Sequence, residues 1–334
     1  MAKTRRIKKA RRSKKTRASS RFAPGIAQLQ PGPRKKRKGR VPEARLSNHK
    51  ARTAWFQSRV TWPYREAPIE AMIRERQRAK QNLAGSPVQW ELAGPSNIGG
   101  RMTSLVCHPA DPDIIWAGAA GGGVWTSKDA GKTWTSLWHS QEVLNVGSLA
   151  IDPANPDTIY CGTGEANLSA DSYPGVGIYR SIDAGKTWHP FVDSSATGIP
   201  TRIGVIAIDP FNSKHLRIGG VGSDETSPKK DDFGGIYVSH DSGVTWLRET
   251  FISKENYWCH AAVFHPTKKG VIFATFTERG TKSGIWRSID GGQSWTHLGK
   301  GLPDPARFGR TTLAISPSQP DTIVPPIALR HPDL

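Results

Sequence analysis

Short apolar runs recur along the chain from about residue 88, and each ends in one variable residue followed by Pro. The five runs are TSLVCHP (103–109), GSLAIDP (147–153), GVIAIDP (204–210), AAVFHP (261–266) and TLAISP (312–317). Each run is followed by a polar turn and a second apolar run. In the first four units a third run beginning with Gly and a fourth such as TWTSLW come next. Four short strands per unit of about 50 residues predict the blades of a β-propeller.

One phrase joins the third and fourth runs, and it occurs four times, at 127–134, 181–188, 239–246 and 288–295. Its position between two strands predicts a hairpin turn, in which Ser and Asp side chains accept backbone N–H groups. Its Gly tolerates positive φ, and its Trp is expected to begin the fourth strand and pack between blades. We interpret these roles as architectural. The residues are Ser127, Asp129, Gly131, Trp134, Ser181, Asp183, Gly185, Trp188, Ser239, Asp241, Gly243, Trp246, Ser288, Asp290, Gly292 and Trp295.

The fourfold SxDxGxTW phrase resembles the BNR or Asp-box repeat family over roughly residues 90–324. The resemblance implies an all-β propeller in which the box is a surface turn remote from the ligand. The stretches GPSNIGGRMTSLVCHP and GTGEANLSADSYPGVGIYRS are further similar to bacterial extracytoplasmic propellers called sortilin-like or glycosyl-hydrolase-like. Four complete four-stranded blades and the start of a fifth, an incomplete ring, are therefore expected.

The enzymes of this family imply catalytic residues that the sequence does not match. Xyloglucanase-like members carry an Asp in a DxGG element, and Ala120 stands at that position in AAGGGVW. Sialidase-like members carry an Arg-Ile-Pro element, whereas this chain has Arg202, Ile203 and Gly204. Our main hypothesis is therefore a non-enzymatic module that binds a glycan or protein ligand. A glycoside hydrolase is the alternative, and polyanion binding through the N-terminal tail is a second alternative.

Binding residues are predicted on one face of the propeller, because loops that join strands 2 and 3 share a face with the connections between blades. Two of these loops are long, GEANLSADSYPGVG (164–177) and GSDETSPKKDDFGG (222–235), and long loops on a rigid scaffold commonly carry binding sites. Arginines on several inner strands could face the same centre. The candidates are Asn97, Arg101, Glu165, Asn167, Asp171, Tyr173, Asp224 and Glu225, with Asp231, Asp232, Arg202, Arg279 and Arg310 nearby.

The sequence predicts neither a bound cofactor nor a metal centre. Cys107, Cys161 and Cys259 are widely spaced and lie in apolar runs, so each is expected to be a small buried hydrophobe. His108 and His265 occupy a slot that holds Asp or Ser in the other units, which indicates a turn position. His260 follows Cys259 in an apolar run and is interpreted as a core histidine.

Charge divides the chain into three segments. Residues 1–52 hold 20 Lys and Arg and one acid, Glu43, whereas the rest of the chain has 27 basic and 27 acidic residues. The tail is therefore predicted to be disordered, and residues 1–40 could contact a polyanion or simply be solvated.

The sequence of residues 53–87 predicts an aromatic segment and a helix that docks on the propeller. Ile69, Met72, Ile73 and Arg76 would lie on one face of this helix. Residues 88–334 form the propeller.

The fifth unit is expected to be incomplete. Pro325 and Pro326 fall where its second strand should continue, and Pro cannot donate to a sheet ladder. We therefore expect a truncated or frameshifted relative of a longer protein, whose missing blades close the ring; closure by a partner chain and an open arc are the alternatives. No apolar run is long enough for a transmembrane helix. The family resemblance implies an extracytoplasmic location, although no signal peptide is visible.

Overall fold

A computed structural model describes residues 54–55, 58–59, 61, 69–83, 100–167, 172–222, 234–250, 257–277, 280–316 and 318–329. All of them belong to the larger of two units into which the chain divides, Leu46–Leu334. The predicted tail, residues 1–52, lies outside the described residues. Within the described part, no helix has the length and apolar character needed to cross a membrane.

Four antiparallel four-stranded sheets follow one another, each with its strands in chain order. Blade 1 contains β1 (Met102–Cys107), β2 (Ile115–Ala119), β3 (Gly123–Ser127) and β4 (Thr135–Ser136). Blade 2 contains β5 (Val146–Ile151), β6 (Ile159–Thr163), β7 (Gly177–Ser181) and β8 (His189–Asp193). Blade 3 contains β9 (Arg202–Asp209), β10 (Asn212–Val221), β11 (Gly235–Ser239) and β12 (Leu247–Arg248). Blade 4 contains β13 (Trp258–Phe264), β14 (Ile272–Thr277), β15 (Gly284–Ser288) and β16 (Thr296–Leu298).

A fifth unit follows as an interrupted hairpin made of β17 (Phe308–Thr311), β18 (Ala314–Ser316), β19 (Gln319–Val324) and β20 (Ile327–Leu329). β18 pairs with β19, and β17 pairs with β20. Pro325 and Pro326 separate β19 from β20. At this break Thr312 N donates a hydrogen bond to Pro326 O at 3.4 Å. The predicted interruption by the two prolines is confirmed. The prediction of four complete blades and the start of a fifth is confirmed as well.

The helices that accompany the sheets include α1 (Ile69–Leu83) and the single-turn α2 (Ser194–Thr197). Helix α1 lies against the segment that follows β4. Arg76 donates to Gln141 O at 2.9 Å and to His139 O at 3.2 Å, and Ile73 packs on the core of blades 1 and 2. Met72 was expected on the same face as Ile73, but its side chain is exposed. The face that contacts blade 1 is therefore narrower than the apolar pattern predicted.

Each SxDxGxTW phrase forms the turn between strands 3 and 4, which we call the box turn. In blade 1, Ser127 Oγ donates to Asp129 Oδ1 at 2.7 Å and accepts from Gly131 N at 2.8 Å. Thr133 then donates its backbone N–H to Asp129 Oδ1 at 2.8 Å. The same bonds recur at Asp183, Asp241 and Asp290. The predicted turn role of Ser and Asp is confirmed.

The residue before each box glycine also has positive φ, a conformation that the sequence pattern does not predict. Ala130 and Ala184 lie at 57°, Ser242 at 63° and Gly291 at 78°. This conformation directs the backbone N–H toward the loop between strands 1 and 2, as in the bond from Ala130 N to Asp113 O at 3.0 Å. Each box turn is thereby tied to the neighbouring loop of its own blade.

Box turns also link each blade to the preceding one. One residue of strand 2 donates a side-chain hydrogen bond to the carbonyl of this positive-φ residue in the next blade. The three bonds are Trp116 Nε1 to Ala184 O at 3.2 Å, Tyr160 OH to Ser242 O at 3.3 Å and Arg217 Nη2 to Gly291 O at 2.7 Å. Three chemically different donors occupy one structural position. In blade 4 this position is Phe273, which has no donor.

Neighbouring inner strands approach closely because strand 2 contains a glycine. A Cβ placed on Gly118 would lie 2.6 Å from Val146 Cγ1 of the next blade. The same contact would be 2.6 Å from Gly162 to Ile203 Cγ2 and 2.5 Å from Gly219 to Cys259 Sγ. Each glycine therefore leaves a hole that accepts one apolar side chain from the first two residues of the next inner strand. At the equivalent place blade 4 has Thr275, whose hydroxyl donates to Thr311 O at 3.0 Å.

The box tryptophans lie just before strand 4 instead of beginning it. Trp134, Trp246 and Trp295 donate Nε1 to the box glycine carbonyl at 2.9–3.1 Å. Trp188 differs, because it is buried edge-on against Trp138 with ring centroids 5.1 Å apart. The prediction of packing between blades was wrong for Trp134, which is exposed. The prediction of buried cysteines was likewise wrong for Cys107, because β1 presents that side to solvent.

The ionised carboxylates of the box turns make the stability of the protein depend on pH in the acid range. Hydrogen bonds from the Thr133 hydroxyl, the Thr133 amide and the Ser127 hydroxyl lower the pKa of Asp129 from 3.8 to about 2. The equivalent bonds from Thr245 and Ser239 lower the pKa of Asp241 to about 2. A folded-state pKa below the unfolded value gives stabilisation that is complete above about pH 4 and is lost as the pH falls through about 2.

We expect Asp241→Asn to lower the melting temperature at pH 6 and to narrow its deficit against wild type as the pH falls toward 2. Thermal unfolding at each pH from 2 to 7 measures this difference. Asp113→Asn, at an exposed acid outside the box turns, is the matched control. A deficit that stays constant with pH would contradict the role of the carboxylate.

We expect Gly162→Val to lower the free energy of unfolding by about 3 kcal/mol, because the new side chain occupies the hole that holds Ile203. Gly121→Val is the control, since a Cβ there meets no atom within 4 Å. Urea unfolding of both variants measures the difference. Equal losses of unfolding free energy in Gly162→Val and Gly121→Val would show that the space beside Gly162 does not limit which side chain can stand there.

Candidate functional site

The loops between strands 2 and 3 share one side of the propeller with the connections between blades, as the topology predicted. Gly164 N donates to Asn145 O at 2.8 Å, and Gly175 N donates to Thr201 O at 2.7 Å. Both acceptors lie in connections that lead into the next inner strand. The box turns bond to the loops between strands 1 and 2 on the opposite side. We call the first side the site face.

A buried carboxylate organises the site face. Glu165, two residues after the end of β6, is 1% exposed, and its Oε2 lies 2.6 Å from Arg101 Nη2. Ser172 donates to the same oxygen at 3.0 Å, and Asn167 Nδ2 donates to Oε1 at 3.1 Å. The backbone of Glu165 donates to Tyr173 O at 3.1 Å, which closes the described ends of this loop on each other. Both carboxylate oxygens are therefore occupied by donors.

Arg101 reaches Glu165 from blade 1, because it lies immediately before β1 on the site face. Its carbonyl accepts a hydrogen bond from Ala120 N at 2.9 Å, so the start of β1 is joined to the loop after β2. Ala120 itself is buried and has no functional group. In blade 1 the guanidinium group of Arg101, and not the methyl side chain of Ala120, provides the functional group on the site face.

Arg310 joins the same group from the fifth unit. Its Nη1 donates to Asn167 O at 2.9 Å, although the two residues are 143 positions apart. In the repeat pattern Arg310 occupies the position of Val146, Ile203 and Cys259, which fill glycine holes. Thr275 replaces the glycine before it, so no hole is present, and the Arg310 side chain is exposed. The loss of one glycine thus accompanies the placement of a cation beside Asn167.

The structure brings together part of the predicted site. Arg101, Glu165, Asn167 and Tyr173 are neighbours, and Arg310 joins them. Five further candidates lie outside the described residues, namely Asn97, Asp171, Asp224, Glu225 and Arg279, together with Asp231 and Asp232. The Arg310 contact could not be predicted from sequence, because only the arrangement of blades brings residues 167 and 310 together.

The predicted turn role of His108 and His265 is confirmed, whereas the prediction that His260 lies in the core was wrong. His108 Nδ1 accepts from Ala110 N and Asp111 N at 3.2 and 3.1 Å, so the predicted turn role is confirmed. His265 accepts from Thr267 N and Lys268 N in the same way. His260 is half-buried and contacts Thr277 Oγ1 at 2.9 Å, so it is not a core histidine. It lies at a β-bulge of β13, which turns its side chain out of the regular alternation.

The arrangement can bind and orient a polar ligand. The Arg101 guanidinium, the Asn167 amide and the Ser172 hydroxyl surround a single buried carboxylate, and Arg310 bonds to the backbone of Asn167 beside it. Guanidinium and amide groups donate hydrogen bonds to ligand oxygens. Across the described ranges no group of three or more His, Cys, Asp or Glu side chains could hold a metal ion. Hydrogen bonding to hydroxyl-rich ligands is the chemistry that these side chains support.

Sequence comparison relates the chain to polysaccharide-degrading enzymes. The xyloglucanase Xgh74A of Acetivibrio thermocellus is 27% identical over 245 residues, which cover 65% of this chain and 28% of that protein. A xyloglucanase of a Paenibacillus species is 24% identical over 243 residues, covering 63% and 22%. The chain thus spans less than a third of the length of these curated relatives. No protein-family model matches it.

Solved structures with similar coordinates include a GH74 xyloglucanase from Xanthomonas campestris, with a TM-score of 0.49 and 20% identity. That alignment covers 69% of this chain and 35% of the other. YCF48 from Cyanidioschyzon merolae has a TM-score of 0.43 at 14% identity, covering 67% and 63%. The prediction of a non-enzymatic binding module was wrong, because the curated relatives are named xyloglucanases. The chain is a β-propeller protein with glycoside hydrolases among its relatives.

We expect Glu165→Gln to destabilise the protein by about 2 kcal/mol, because the amide brings an N–H group against the donors of Arg101, Asn167 and Ser172. Arg310→Gln removes one exposed hydrogen bond and is expected to cost less than about 1 kcal/mol. Urea unfolding compares the two. A larger effect at Arg310 would contradict the organising role of Glu165.

Proposed function

We propose that the protein is a glycoside hydrolase that acts on xyloglucan. The sequence match to proteins named xyloglucanases supports the substrate class. The cluster of Arg101, Glu165 and Asn167 on the site face supports the location, since these side chains suit sugar hydroxyls.

Hydrolysis of a glycosidic bond requires two carboxyl groups about 5–10 Å apart. Glu165 is one carboxylate of the site face, but Arg101, Asn167 and Ser172 occupy its oxygens. We therefore assign Glu165 to positioning. The two reacting carboxyl groups are proposed among Asp171, Asp224 and Glu225, which lie in the segments 164–177 and 222–235 that the sequence predicts as long loops on this face. Ala120 cannot contribute one.

The repeat family and the location of the protein are part of the same proposal. The fourfold box turn, with its shared Ser, Asp and Gly geometry, supports membership of the BNR or Asp-box propellers. Proteins that degrade such a polymer meet it outside the cell, which supports an extracytoplasmic site of action. The sortilin-like resemblance adds no further residue to the proposed site.

We expect the full chain to release reducing ends from xyloglucan. Asp171→Asn, Asp224→Asn and Glu225→Gln are each compared with wild type, and loss of a reacting carboxyl group should lower kcat by about 100-fold or more. Glu165→Gln should mainly raise KM, because it disturbs Arg101 and Asn167. Asp113→Asn, on the box-turn side, is the control and should leave both constants unchanged.

Absence of reducing ends, with intact folding, would show that the chain by itself is not a xyloglucanase. Activity that survives all three carboxyl substitutions would instead exclude the proposed residues. Binding of xyloglucan oligosaccharides, measured by calorimetry, separates loss of binding from loss of the chemical step. Together these measurements test the substrate and the residues independently.

A further inference from the structure

A pair of side chains in each blade supports the box turn of the next blade. One member lies in strand 2, and the other lies three positions after the box Trp. In blade 1 the pair is Trp116 and Leu137, and a Cβ placed on Gly185 of the next box would lie 3.1 Å from both. In blade 2 the pair is Tyr160 and Phe191, with ring centroids 6.0 Å apart. Both pairs are largely apolar.

In blade 3 the same two positions hold a buried ion pair. The side chains of Arg217 and Glu249 are 3% and 11% exposed, and Arg217 Nη2 lies 3.0 Å from Glu249 Oε1. The other carboxylate oxygen, Oε2, is buried without a hydrogen-bond partner among the described residues. Burial raises the pKa of Glu249, and the attraction of Arg217 only partly offsets this effect. Such buried pairs often stabilise a fold less than apolar side chains of similar size.

The interface between blades 3 and 4, which we call the seam, also differs along the inner strands. At the two preceding interfaces a serine hydroxyl accepts a hydrogen bond from the next inner strand. These bonds are Leu149 N to Ser104 Oγ and Ile206 N to Ser148 Oγ, both 2.9 Å. Val205 occupies the serine position in blade 3, and its side chain cannot make this bond.

The apolar side chains that enter the seam are small. Two buried positions of each inner strand face the preceding blade, and at the seam they hold Cys259 and Ala262. The hydrophobic contribution grows with the apolar area that is buried, so these two side chains contribute less than larger aliphatic ones. The residues at the other two interfaces are Val146, Leu149, Ile203 and Ile206.

We propose that the seam is a hinge at which blade 4 and the fifth unit open away from blades 1 to 3. The buried ion pair, the missing hydroxyl group and the small apolar side chains all act at this one interface. Opening there therefore requires less free energy than opening between blades 1 and 2 or between blades 2 and 3.

The hinge controls the candidate site, because that site is assembled across the seam. Arg310 belongs to the fifth unit, which is joined to blade 4 by the bond from Thr275 Oγ1 to Thr311 O at 3.0 Å. Its partner Asn167 follows the second strand of blade 2, on the other side of the seam. An open seam separates Arg310 from Asn167, and closure restores the contact. This conformational role goes beyond the proposed hydrolase activity.

Two fully buried cysteines can report where the blades open. Cys259 lies in the seam, where a Cβ on Gly219 would be 2.5 Å from its Sγ, and Cys161 lies in the core of blades 1 and 2. Iodoacetamide alkylates each thiol only when its surroundings open. Peptide mass spectrometry measures both rates in the folded full-length chain. We expect Cys259 to be alkylated at least about tenfold faster than Cys161.

Transfer of the blade 2 pair into blade 3 tests the ion pair. In the double variant Arg217→Tyr with Glu249→Phe, Cys259 should be alkylated about tenfold more slowly, with the rate at Cys161 unchanged. Glu249→Leu alone leaves the Arg217 cation buried without its partner. This single variant should instead speed the alkylation of Cys259 by about tenfold or more.

Val205→Ser tests the seam by an independent change and serves if the double variant does not fold. The new hydroxyl lies opposite the amide of Ala262, as Ser104 and Ser148 lie opposite theirs. One added hydrogen bond across the seam should slow the alkylation of Cys259 by about threefold.

Arg310→Gln tests the coupling between the hinge and the site. Because the bond from Arg310 to Asn167 crosses the seam, its loss should speed the alkylation of Cys259 by about threefold. Arg307→Gln, at an exposed cation in the same connection, is the control and should leave the rate unchanged.

Equal alkylation rates at Cys161 and Cys259 in the wild-type chain would overturn the hinge. A folded double variant with an unchanged rate at Cys259 would overturn the role of the ion pair. An unchanged rate in Arg310→Gln would overturn the coupling to the site. Alkylation needs no substrate, so failure of the hinge is distinguishable from failure of the proposed function.

Discussion

The close approach of neighbouring inner strands is the constraint on which the described blades depend. In blades 1 to 3 it requires a glycine in the second strand, because any Cβ at Gly118, Gly162 or Gly219 would overlap the next blade. With the hole present, an apolar side chain is buried completely, and the Ser104 and Ser148 hydroxyls lie within reach of the next inner strand. The missing side chain at these three glycines therefore sets the spacing between blades 1 and 2, 2 and 3, and 3 and 4.

The box turns provide a second set of links on the opposite side. Their carboxylates satisfy backbone N–H groups within the turn, and their positive-φ residues expose one carbonyl to the preceding blade. That carbonyl accepts from Trp116, Tyr160 or Arg217, which shows that the position needs a donor of sufficient length and not a particular residue type. Recurrence of the phrase thus reflects both the turn and the contact between blades.

The residues of the candidate site lie at positions where the blades differ from one another. Glu165 and Arg101 lie at strand ends on the site face, where the repeat pattern places loops and connections. Arg310 reaches Asn167 where Thr275 has replaced a hole-forming glycine. The sequence predicted Glu165, Asn167 and Arg101 as candidates because a long loop and a blade entrance are visible in it. It could not predict that Glu165 would be buried and occupied by three donors.

The sequence by itself determined the blades, the box turns, their Ser and Asp hydrogen bonds and the proline break in the fifth unit. Each of these depends on residues close together in the chain, where spacing and residue type are sufficient. The tertiary structure decided which tryptophans are buried, that Cys107 faces solvent, and that Arg310 meets Asn167. Those outcomes depend on which blade covers which strand, and burial against a neighbour is a property of the packed array that local sequence does not encode.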